Sequence, residues 1–310
     1  MKILIVDKLQ PSILPSLHDI GFEVDYLPDI DNAAIPDIIH RYEGIILRNK
    51  LEIDKTILKK GGKLKFIARA GAGMDLIDVQ AAKKRNIHLI NAPEGNKDSL
   101  AEHTIGMLLA LLNKMLLSDK EVRSRVWNRE SNRGIELKGK TVCIIGYGNM
   151  GKAFAKRLSA FDCKVLTYDK YLKNYTDKYA KEASMEEVFE KTDIISFHLP
   201  LTEETRQMVN NAYLGSFKRS FWLINTARGE ILRSKALVKA ISEGKVKGAA
   251  LDVLENENLE KLTEDEKKSF NYLASSDKVL MTPHTGGLTY ESYKRINEVL
   301  VRKIKKVIII

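Results

Sequence analysis

The sequence contains little cysteine, proline or tryptophan: two Cys, seven Pro and two Trp occur in 310 residues. So few cysteines exclude a disulfide-rich secreted scaffold. Cys143 and Cys163 both fall in predicted strands, and we interpret them as small buried apolar residues and not as a disulfide or metal pair. The apolar run 105–112 is too short to span a bilayer, and the first residues do not form a signal peptide. We therefore expect a cytoplasmic protein with no membrane partner and no metal.

The formal net charge of +10 has two interpretations. A basic surface attracts nucleic acid. However, the positive charges are spread along the chain, and no known nucleic-acid motif accompanies them. The densest group lies on a predicted amphipathic helix near the end of the sequence: Lys294, Arg295, Arg302, Lys303, Lys305 and Lys306. A solvated helix face explains this group better, so we expect no nucleic-acid partner, although the charge could attract anionic substrates.

The length, with 44% hydrophobic and 30% charged residues, is typical of a globular protein with two domains. The first ninety residues alternate short apolar runs with helical stretches, which predicts an open parallel sheet covered by helices. The predicted strands are 2–6, 22–27, 44–47, 64–70 and 87–90. No G-x-G-x-x-G follows the first strand, and we therefore assign this segment to a substrate domain.

A nucleotide-binding unit is predicted around a second set of strands. The run 141–145 predicts a buried strand. It is followed by G-x-G-x-x-G at Gly146, Gly148 and Gly151. These glycines allow a sharp turn, close approach of a pyrophosphate and close packing of helix on strand. A later strand ends at Asp169, whose carboxylate can accept hydrogen bonds from both ribose hydroxyls and would repel a 2′-phosphate. This pattern favours NAD over NADP, and Lys170 could weaken that preference.

Polar residues follow each later strand of this second domain. The strands and the groups that close them are 193–199 with His198 and Pro200, 220–225 with Thr226, Ala227 and Arg228, 246–251 with Asp252, and 278–281 with His284. Ligands bind at the carboxyl edge of such sheets, so we expect these groups to converge on one crevice. A final helix, 289–307, is expected to return to the first domain. The predicted domains are therefore 1–93 with 285–310, and 94–284.

Proline and glycine in 91–96 predict the crossing between the domains. Ser99, with Glu102 three residues later, predicts the N-cap of a long helix, 99–117, that is apolar on most sides. Such a helix is either deeply buried or part of a subunit contact, and we expect a homodimer. His103 on this helix is interpreted as structural, because no acid–base partner can be placed beside it.

A glycine-rich turn, 69–73, ends the fourth predicted strand, and 74–78 predict the start of the next helix. Backbone N–H groups in such a turn could hold a carboxylate. A plain strand-to-helix connection is an equally good interpretation of the same residues.

Five motifs occur in a fixed order: GYGNMG with Asp169, HLPLT, NTARG, GAALDVLENE and TPHTGG. Together they resemble the D-2-hydroxyacid dehydrogenase family over most of the chain. The segments RAGAGMDLID and EHTIGMLLAL are most similar to the D-3-phosphoglycerate dehydrogenase branch. The resemblance implies an α/β protein of two doubly wound parallel-sheet domains, one a flavodoxin-like substrate domain and the other a Rossmann domain that binds NAD.

The resemblance also implies roles for individual residues. His284 would be the general acid in reduction and the base in oxidation, Glu257 would orient its ring, and Arg228 would bind the substrate carboxylate and carbonyl oxygens. Asp252 would lie near the nicotinamide carboxamide. The other implied cofactor positions are Gly146, Tyr147, Gly148, Asn149, Met150, Gly151, Asp169, His198, Pro200, Thr226 and Ala227. Arg228 and His284 would share substrate binding with Arg48, Ala72 and Gly73.

Two segments depart from the family pattern. The family usually has glycine near Asp162, and aspartate tolerates the left-handed conformation better than most residues. The segment 256–277 is acidic, rich in lysine and without the proline that commonly follows the catalytic glutamate. Glu255 therefore remains an alternative to Glu257.

We expect an NAD-dependent oxidoreductase acting on a D-2-hydroxy acid, with 3-phosphoglycerate as the leading substrate and serine biosynthesis as its pathway. Glyoxylate, hydroxypyruvate and D-lactate are alternative substrates. An NADH-sensing, corepressor-like binding protein is the alternative from another class, because some relatives with this fold use NADH binding as a switch. The complete set of Arg228, Glu257 and His284 favours the enzyme.

Overall fold

The computed structural model describes residues 1–308, and their contacts define two compact units. The N-terminal unit comprises residues 1–98 and the segment that begins at Leu288, and the central unit is Ser99–Gly287. The domain boundaries predicted at 93/94 and 284/285 thus differ from the unit boundaries by a few residues. The physical reason is that residue 94 is tied to the last helix: Lys303 Nζ lies 2.8 Å from a Glu94 carboxylate oxygen and donates to the Asn91 carbonyl.

The strands are β1 (Lys2–Ile5), β2 (Glu23–Tyr26), β3 (Gly44–Leu47), β4 (Phe66–Arg69), β5 (His88–Asn91), β6 (Thr141–Ile145), β7 (Lys164–Tyr168), β8 (Lys181–Glu182), β9 (Ile194–Phe197), β10 (Phe221–Asn225), β11 (Val246–Leu251) and β12 (Val279–Met281). The α helices are α1 (Ile13–His18), α2 (Ile35–Ile38), α3 (Lys55–Lys60), α4 (Val79–Lys84), α5 (Pro93–Leu112), α6 (Met115–Arg123), α7 (Asn149–Leu158), α8 (Met185–Lys191), α9 (Asn211–Ser216), α10 (Ser234–Ser242), α11 (Glu264–Ser275) and α12 (Tyr290–Ile308).

The N-terminal unit is a parallel sheet with the strand order β2-β1-β3-β4-β5, which is the flavodoxin-like order. Short apolar strands such as Ile3–Ile5 and Ile45–Leu47 are fully buried because helices cover both faces. Apolar residues of α12 at helical spacing, Ile296, Leu300 and Ile304, are buried in one of its two cores. The predicted parallel sheet and the return of the last helix to this unit are therefore confirmed.

The central unit is a parallel sheet with the order β12-β11-β10-β9-β6-β7-β8. From β6 the chain adds β7 and β8 on one side and β9 to β12 on the other, so the strand order reverses between β6 and β9. This is the Rossmann arrangement with a switch point beside the first strand of the unit. The strand register places in one row the residues Ile145, Tyr168, Phe197, Asn225, Leu251 and Met281. The residues that follow them therefore leave the sheet at the same carboxyl edge, which is where the sequence predicted ligand-binding groups.

The start of α5 differs from the prediction. Ser99 does not cap a helix, because α5 begins at Pro93 and Ser99 lies inside it. Its hydroxyl donates instead to the carbonyl of Gly286 at 2.8 Å. The helix also ends earlier than predicted, at Leu112, where Lys114 adopts a left-handed conformation before α6. Proline at the first helical position was the signal that marked the true start.

Two other turns were predicted with different success. The helix expected from residue 74 begins only at Val79, where the Asp78 side chain accepts a hydrogen bond from the Ala81 N–H and caps α4. Asp162 adopts the left-handed conformation with φ +50°, as the sequence predicted. Cys143 is buried in β6, and burial raises the pKa of its thiol to about 12. The thiol therefore stays protonated at neutral pH and is a poor nucleophile.

Within residues 1–308 no single helix is long and apolar enough to cross a membrane, although α5 and α6, bent by 61° at their break, pass that test as a pair by length and composition.

Candidate active site

The glycine loop after β6 has the shape that a dinucleotide site requires. Gly146 has φ +95°, and a Cβ there would lie 2.5 Å from the His198 carbonyl oxygen. A Cβ on Gly151 would lie 2.1 Å from the Gly146 carbonyl oxygen, so α7 packs against the loop only because both residues are glycine. Gly148, at the N-cap of α7, has open space where a Cβ would point. The helix start thus offers N–H donors and room for a pyrophosphate, and these residues fit the cofactor.

The other residues of this loop divide into exposed and enclosed groups. Gly148 and Asn149 are exposed, and Met150 is half-buried, at the start of α7. The Tyr147 side chain is fully buried, and its hydroxyl donates to Asp177 at 2.9 Å. Tyr147 therefore presents only its backbone to the loop surface.

His198 follows β9 and lies beneath the glycine loop. Its Nε2 is 2.9 Å from the Ser196 hydroxyl, and its ring lies 5.4 Å from that of Phe154 on α7. Burial lowers the pKa of His198 to about 3, so the ring is neutral at physiological pH. A neutral ring at this place supports the loop without adding charge to it.

Asp169 closes β7 at the far side of the same loop. Its carboxylate accepts hydrogen bonds from the backbone N–H groups of Tyr147 at 2.9 Å, Tyr171 at 3.0 Å and Leu172 at 3.1 Å. Burial alone would raise the pKa of Asp169, but these donors and nearby Lys152 outweigh it and hold the pKa below its usual value. The group is therefore an ionised carboxylate fixed in orientation.

Lys170 does not turn its charge toward Asp169. Its ammonium pairs with the carboxylate of Glu204, to which the Tyr171 hydroxyl also donates at 2.7 Å. The cation that could have weakened the preference for NAD is thus paired with a neighbouring acid.

His284 and Glu257 form a pair at the carboxyl edge of the sheet. Nδ1 of His284 lies 3.1 Å from each carboxylate oxygen of Glu257, and both side chains are about half exposed. Glu255, the alternative glutamate, turns away: it accepts from the Ser234 N–H at 2.7 Å and lies 3.4 Å from the Gln207 side chain. The geometry therefore assigns the partner of the histidine to Glu257.

Asp252 holds the turn that carries His284. Its buried carboxylate accepts from the Thr282 hydroxyl at 2.6 Å and from the backbone N–H groups of Thr285 at 2.9 Å and Gly286 at 2.8 Å. Its backbone carbonyl accepts from the His284 N–H at 2.8 Å. Asp252, for which the resemblance implied a place near the nicotinamide, thus anchors the turn that carries His284.

Burial alone would raise the pKa of Asp252, but hydrogen bonds from His103, Thr282 and the two backbone N–H groups hold it below its usual value. His103 Nε2 lies 3.3 Å from the Asp252 carboxylate and 3.1 Å from the Thr282 hydroxyl. His103 is therefore a structural residue of the site, with a partner that lies far away in the sequence.

Arg228 stands on a turn fixed by Asn225. The buried Asn225 amide accepts from the Ala227 N–H at 3.1 Å and donates to the Arg228 carbonyl at 2.9 Å. The Arg228 guanidinium donates to the Ala227 carbonyl at 2.6 Å. A Cβ on Gly229 would lie 1.7 Å from the Leu254 carbonyl oxygen, so glycine brings this turn against the chain that leads to Glu257.

The remaining predicted cofactor positions lie on the same edge. Thr226 is buried with its hydroxyl 3.3 Å from that of Thr104 on α5, and Ala227 is buried. Pro200 is exposed, and its carbonyl accepts from the Thr205 hydroxyl at 2.8 Å. The Thr226 side chain thus braces the sheet edge against α5.

The predicted substrate positions of the N-terminal unit lie at the carboxyl edge of its own sheet. Arg48 follows β3, and its guanidinium carbon lies 4.3 Å from the centre of the Tyr293 ring, to whose hydroxyl it donates. Arg69 ends β4 and donates to the Arg48 carbonyl at 3.1 Å. Ala72 and Gly73 are half-buried in the following turn, where the Ala72 carbonyl accepts from Asn91 at 2.6 Å.

Sequence reasoning missed Asn225 and Thr282 as site residues. Asn225 was visible as the first letter of NTARG, and a buried asparagine at a strand end is a recognisable turn-forming signal. Thr282 gave no such signal, because its role depends on contacts with Asp252 and His103 that only the folded sheet creates.

A glycine loop at a Rossmann switch point, an acid after the next strand and a histidine–glutamate pair on the same edge define a dinucleotide-dependent oxidoreductase fold. The sequence model of the protein family described as "D-isomer specific 2-hydroxyacid dehydrogenase, NAD binding domain" matches residues 105–286 of this chain. The chain belongs to the D-isomer specific 2-hydroxyacid dehydrogenase family, as its motifs predicted. NAD is the cofactor of this domain, and that prediction is also confirmed.

Similar proteins support the assignment along nearly the whole chain. The D-3-phosphoglycerate dehydrogenase of Methanocaldococcus jannaschii is 33% identical over 99% of this chain and 57% of its own length. The chain thus spans little more than half of that relative. The hydroxypyruvate reductase of Thermotoga maritima is 36% identical over 97% of this chain and 95% of its own length. A D-lactate dehydrogenase structure from Aquifex aeolicus, complexed with NAD and lactic acid, has a TM-score of 0.84 at 28% identity, covering 98% of this chain and 94% of that one.

Proposed function

We propose that this protein transfers a hydride between NAD and a D-2-hydroxy acid or its 2-oxo acid, with His284, Glu257 and Arg228 as its catalytic residues. The observation that carries the proposal is the contact of 3.1 Å between the His284 ring and the Glu257 carboxylate at the edge that also bears the glycine loop. Bound NADH supplies the hydride that reduces the carbonyl carbon.

The residues of the chain supply the proton and the charge. Glu257 accepts from Nδ1 of His284, which leaves Nε2 to give a proton to the substrate oxygen in reduction and to remove it in oxidation. Arg228 offers a planar fork of N–H donors that complements a carboxylate and polarises the adjacent carbonyl. Asp252 keeps the His284 turn in place through three hydrogen bonds from residues 282–286.

The leading substrate is 3-phosphoglycerate, oxidised to 3-phosphohydroxypyruvate in serine biosynthesis. Two observations support this choice. One relative named above is a D-3-phosphoglycerate dehydrogenase, and cationic side chains gather at the ends of β3 and β4 in Arg48, Lys50 and Arg69. Charge-assisted hydrogen bonds from such groups are suited to a phosphate or a carboxylate.

Reduction of unphosphorylated hydroxypyruvate is the second candidate. The relative that this chain matches over 95% of its length is named a hydroxypyruvate reductase. In addition, the Arg48 guanidinium is engaged by Tyr293, and the Lys50 ammonium donates to the Pro28 carbonyl at 2.6 Å. Cations that already have partners are less available to a phosphate, which favours a smaller anion.

The test is NADH oxidation followed optically with 3-phosphohydroxypyruvate, hydroxypyruvate, glyoxylate and pyruvate. A preference for the phosphorylated acid that falls in Arg48→Gln supports the first candidate, and a preference for hydroxypyruvate supports the second. Turnover of glyoxylate or pyruvate alone would keep the reaction class and overturn both substrates. Tight NADH binding without turnover of any of the four acids would replace the enzyme by an NADH-binding sensor.

We also propose that the protein forms a homodimer through the segment 115–127 of the central unit. Large apolar side chains are concentrated there and exposed: Met115, Leu116, Val122, Val126 and Trp127. An apolar patch of this kind is costly in water unless a partner covers it. A second copy offers the same patch, and a two-fold axis lets the two patches cover each other.

A further inference from the structure

The loop between β7 and β8 is folded around two tyrosines. The Tyr175 hydroxyl accepts from the Asp169 N–H at 2.8 Å and donates to the Thr167 carbonyl at 3.0 Å, so it clamps both sides of the end of β7. The rings of Tyr175 and Tyr147 lie 5.5 Å apart. The Tyr147 hydroxyl donates to Asp177, which in turn accepts from the N–H groups of Tyr179 and Ala180. These bonds connect the glycine loop to the whole turn after Asp169.

Three hydrogen bonds from backbone N–H groups fix the orientation of the Asp169 carboxylate. An ionised carboxylate has about four acceptor positions, and three of them are taken by the N–H groups of Tyr147, Tyr171 and Leu172. About one position is therefore left for a ribose hydroxyl, where the sequence had suggested contacts with both. Those N–H groups stay in place only while the backbone on both sides of Asp169 keeps its path. The Tyr175 hydroxyl holds that path directly, and the Tyr147–Asp177 bond holds the distal part of the turn.

We propose that Tyr175 is a positioning residue that sets the preference for NAD over NADP through Asp169, and that Tyr147 supports it through Asp177. The proposal rests on the proposed contact of Asp169 with the adenosine ribose. It extends that contact to residues that do not touch the cofactor themselves.

The test is calorimetric binding of ADP-ribose and 2′-phospho-ADP-ribose to the full chain, which needs no turnover. The wild type is expected to prefer ADP-ribose, and Asp169→Ala provides the reference for complete loss of that preference. Tyr175→Phe removes one hydroxyl and two hydrogen bonds, so ADP-ribose should bind about tenfold more weakly while binding of the 2′-phosphate changes by less than about twofold. Tyr147→Phe should act in the same direction by about threefold.

Tyr290→Phe is the control for the loss of a tyrosine hydroxyl, because Tyr290 lies in the N-terminal unit and is 96% exposed. It should leave the ratio of the two affinities unchanged. Equal weakening of both ligands in Tyr175→Phe and Tyr147→Phe, or a ratio that matches the wild type, would overturn the proposal. A wild type without any preference would instead refute the proposed contact of Asp169, so the two failures are distinguishable.

Discussion

Nδ1 of His284 lies 3.1 Å from both carboxylate oxygens of Glu257, while the His284 backbone is held at φ +55°. A left-handed conformation is uncommon for a residue other than glycine and persists only where its surroundings enforce it. Here the Asp252 carbonyl, at 2.8 Å from the His284 N–H, and the Asp252 carboxylate, bonded to the next two N–H groups, enforce it. The ring therefore keeps Nδ1 on Glu257, and Nε2 is the nitrogen that the proposed mechanism assigns to the substrate.

We expect His284→Asn to lower kcat by about 10²- to 10⁴-fold, because the variant lacks the proton donor of the reaction. The measurement is steady-state turnover in both directions, together with fluorescence titration of NADH. Binding of NADH should stay within about twofold of the wild type, since the carboxyl-edge turn is held by Asp252 and not by the imidazole ring. Turnover close to the wild-type rate would remove His284 from the acid–base role.

Glu257→Gln should lower kcat by about ten- to hundredfold, because a neutral amide no longer stabilises the imidazolium that forms in catalysis. Glu255→Gln is the control, since Glu255 bonds to the Ser234 N–H and the amide oxygen of glutamine can still accept that bond. The control should retain wild-type kcat. If both variants lost the same activity, the effect would belong to the loop and not to the pair.

Asp252 gives a prediction about pH. The pKa of Asp252 in the folded protein is below its usual value. The ionised carboxylate therefore stabilises the fold at pH values above the ordinary aspartate pKa of about 4, and this stabilisation is lost as the pH falls through the pKa of the folded state. Asp252→Asn should therefore lower the free energy of unfolding by about 2–4 kcal/mol at pH 7. The difference between variant and wild type should shrink below about pH 4.

The measurement is urea denaturation at a series of pH values. Asp29→Asn is a control, because the Asp29 side chain is 82% exposed and bonds to an exposed lysine, and its curve should follow that of the wild type. A gap between Asp252→Asn and the wild type that stayed constant down to about pH 3 would contradict the assignment.

Gly148→Ala should separate cofactor binding from stability. A Cβ at this position meets only open space, so the free energy of unfolding should change by less than about 1 kcal/mol. NADH should nevertheless bind at least about tenfold more weakly, because the methyl group takes the space of the pyrophosphate. Calorimetric titration of NADH measures the effect.

Gly215→Ala is the matched control for this change, since a Cβ on Gly215 also meets open space but lies on α9. It should leave NADH binding unchanged. Gly151→Ala should behave differently from both, because its Cβ would collide with the Gly146 carbonyl and weaken folding itself. Unchanged NADH affinity in Gly148→Ala would show that the pyrophosphate does not pass close to this residue.

The features that the sequence predicted well are local or repeated at each strand end. The glycines at 146, 148 and 151 predicted a turn whose geometry follows from the residues themselves, and Asp162 predicted a left-handed residue for the same reason. The groups after each strand were expected together because parallel strands end at one edge, and the register of the sheet aligns them.

The features that the sequence could not predict depend on contacts between distant residues. His103 and Thr282 are 179 residues apart, and nothing local indicates that they share the carboxylate of Asp252. Likewise, Glu255 and Glu257 carry the same side chain two residues apart, and the sequence alone does not distinguish them. The path of the loop after Asp252 decides which of them reaches His284. The mistaken N-cap at Ser99 had a different cause, because a valid local pattern lay inside a helix that had already begun.

The proposed dimer yields the last prediction. Leu116 and Trp127 are 61% and 76% exposed, and replacing both by glutamate would place two charges on each side of the proposed contact. Burying unpaired charges is strongly unfavourable, so the double variant should sediment as a monomer at micromolar concentration while the wild type sediments as a dimer.

The control is Leu259→Glu, because Leu259 is an apolar residue of the same unit that is 50% exposed and lies outside this segment. This variant should leave the dimer intact. Because Leu116 and Trp127 lie far from Arg228, Glu257 and His284 in the sequence, the double variant should retain its NADH affinity per chain. A wild type that remains monomeric, or a double variant that remains dimeric, would exclude 115–127 as the contact.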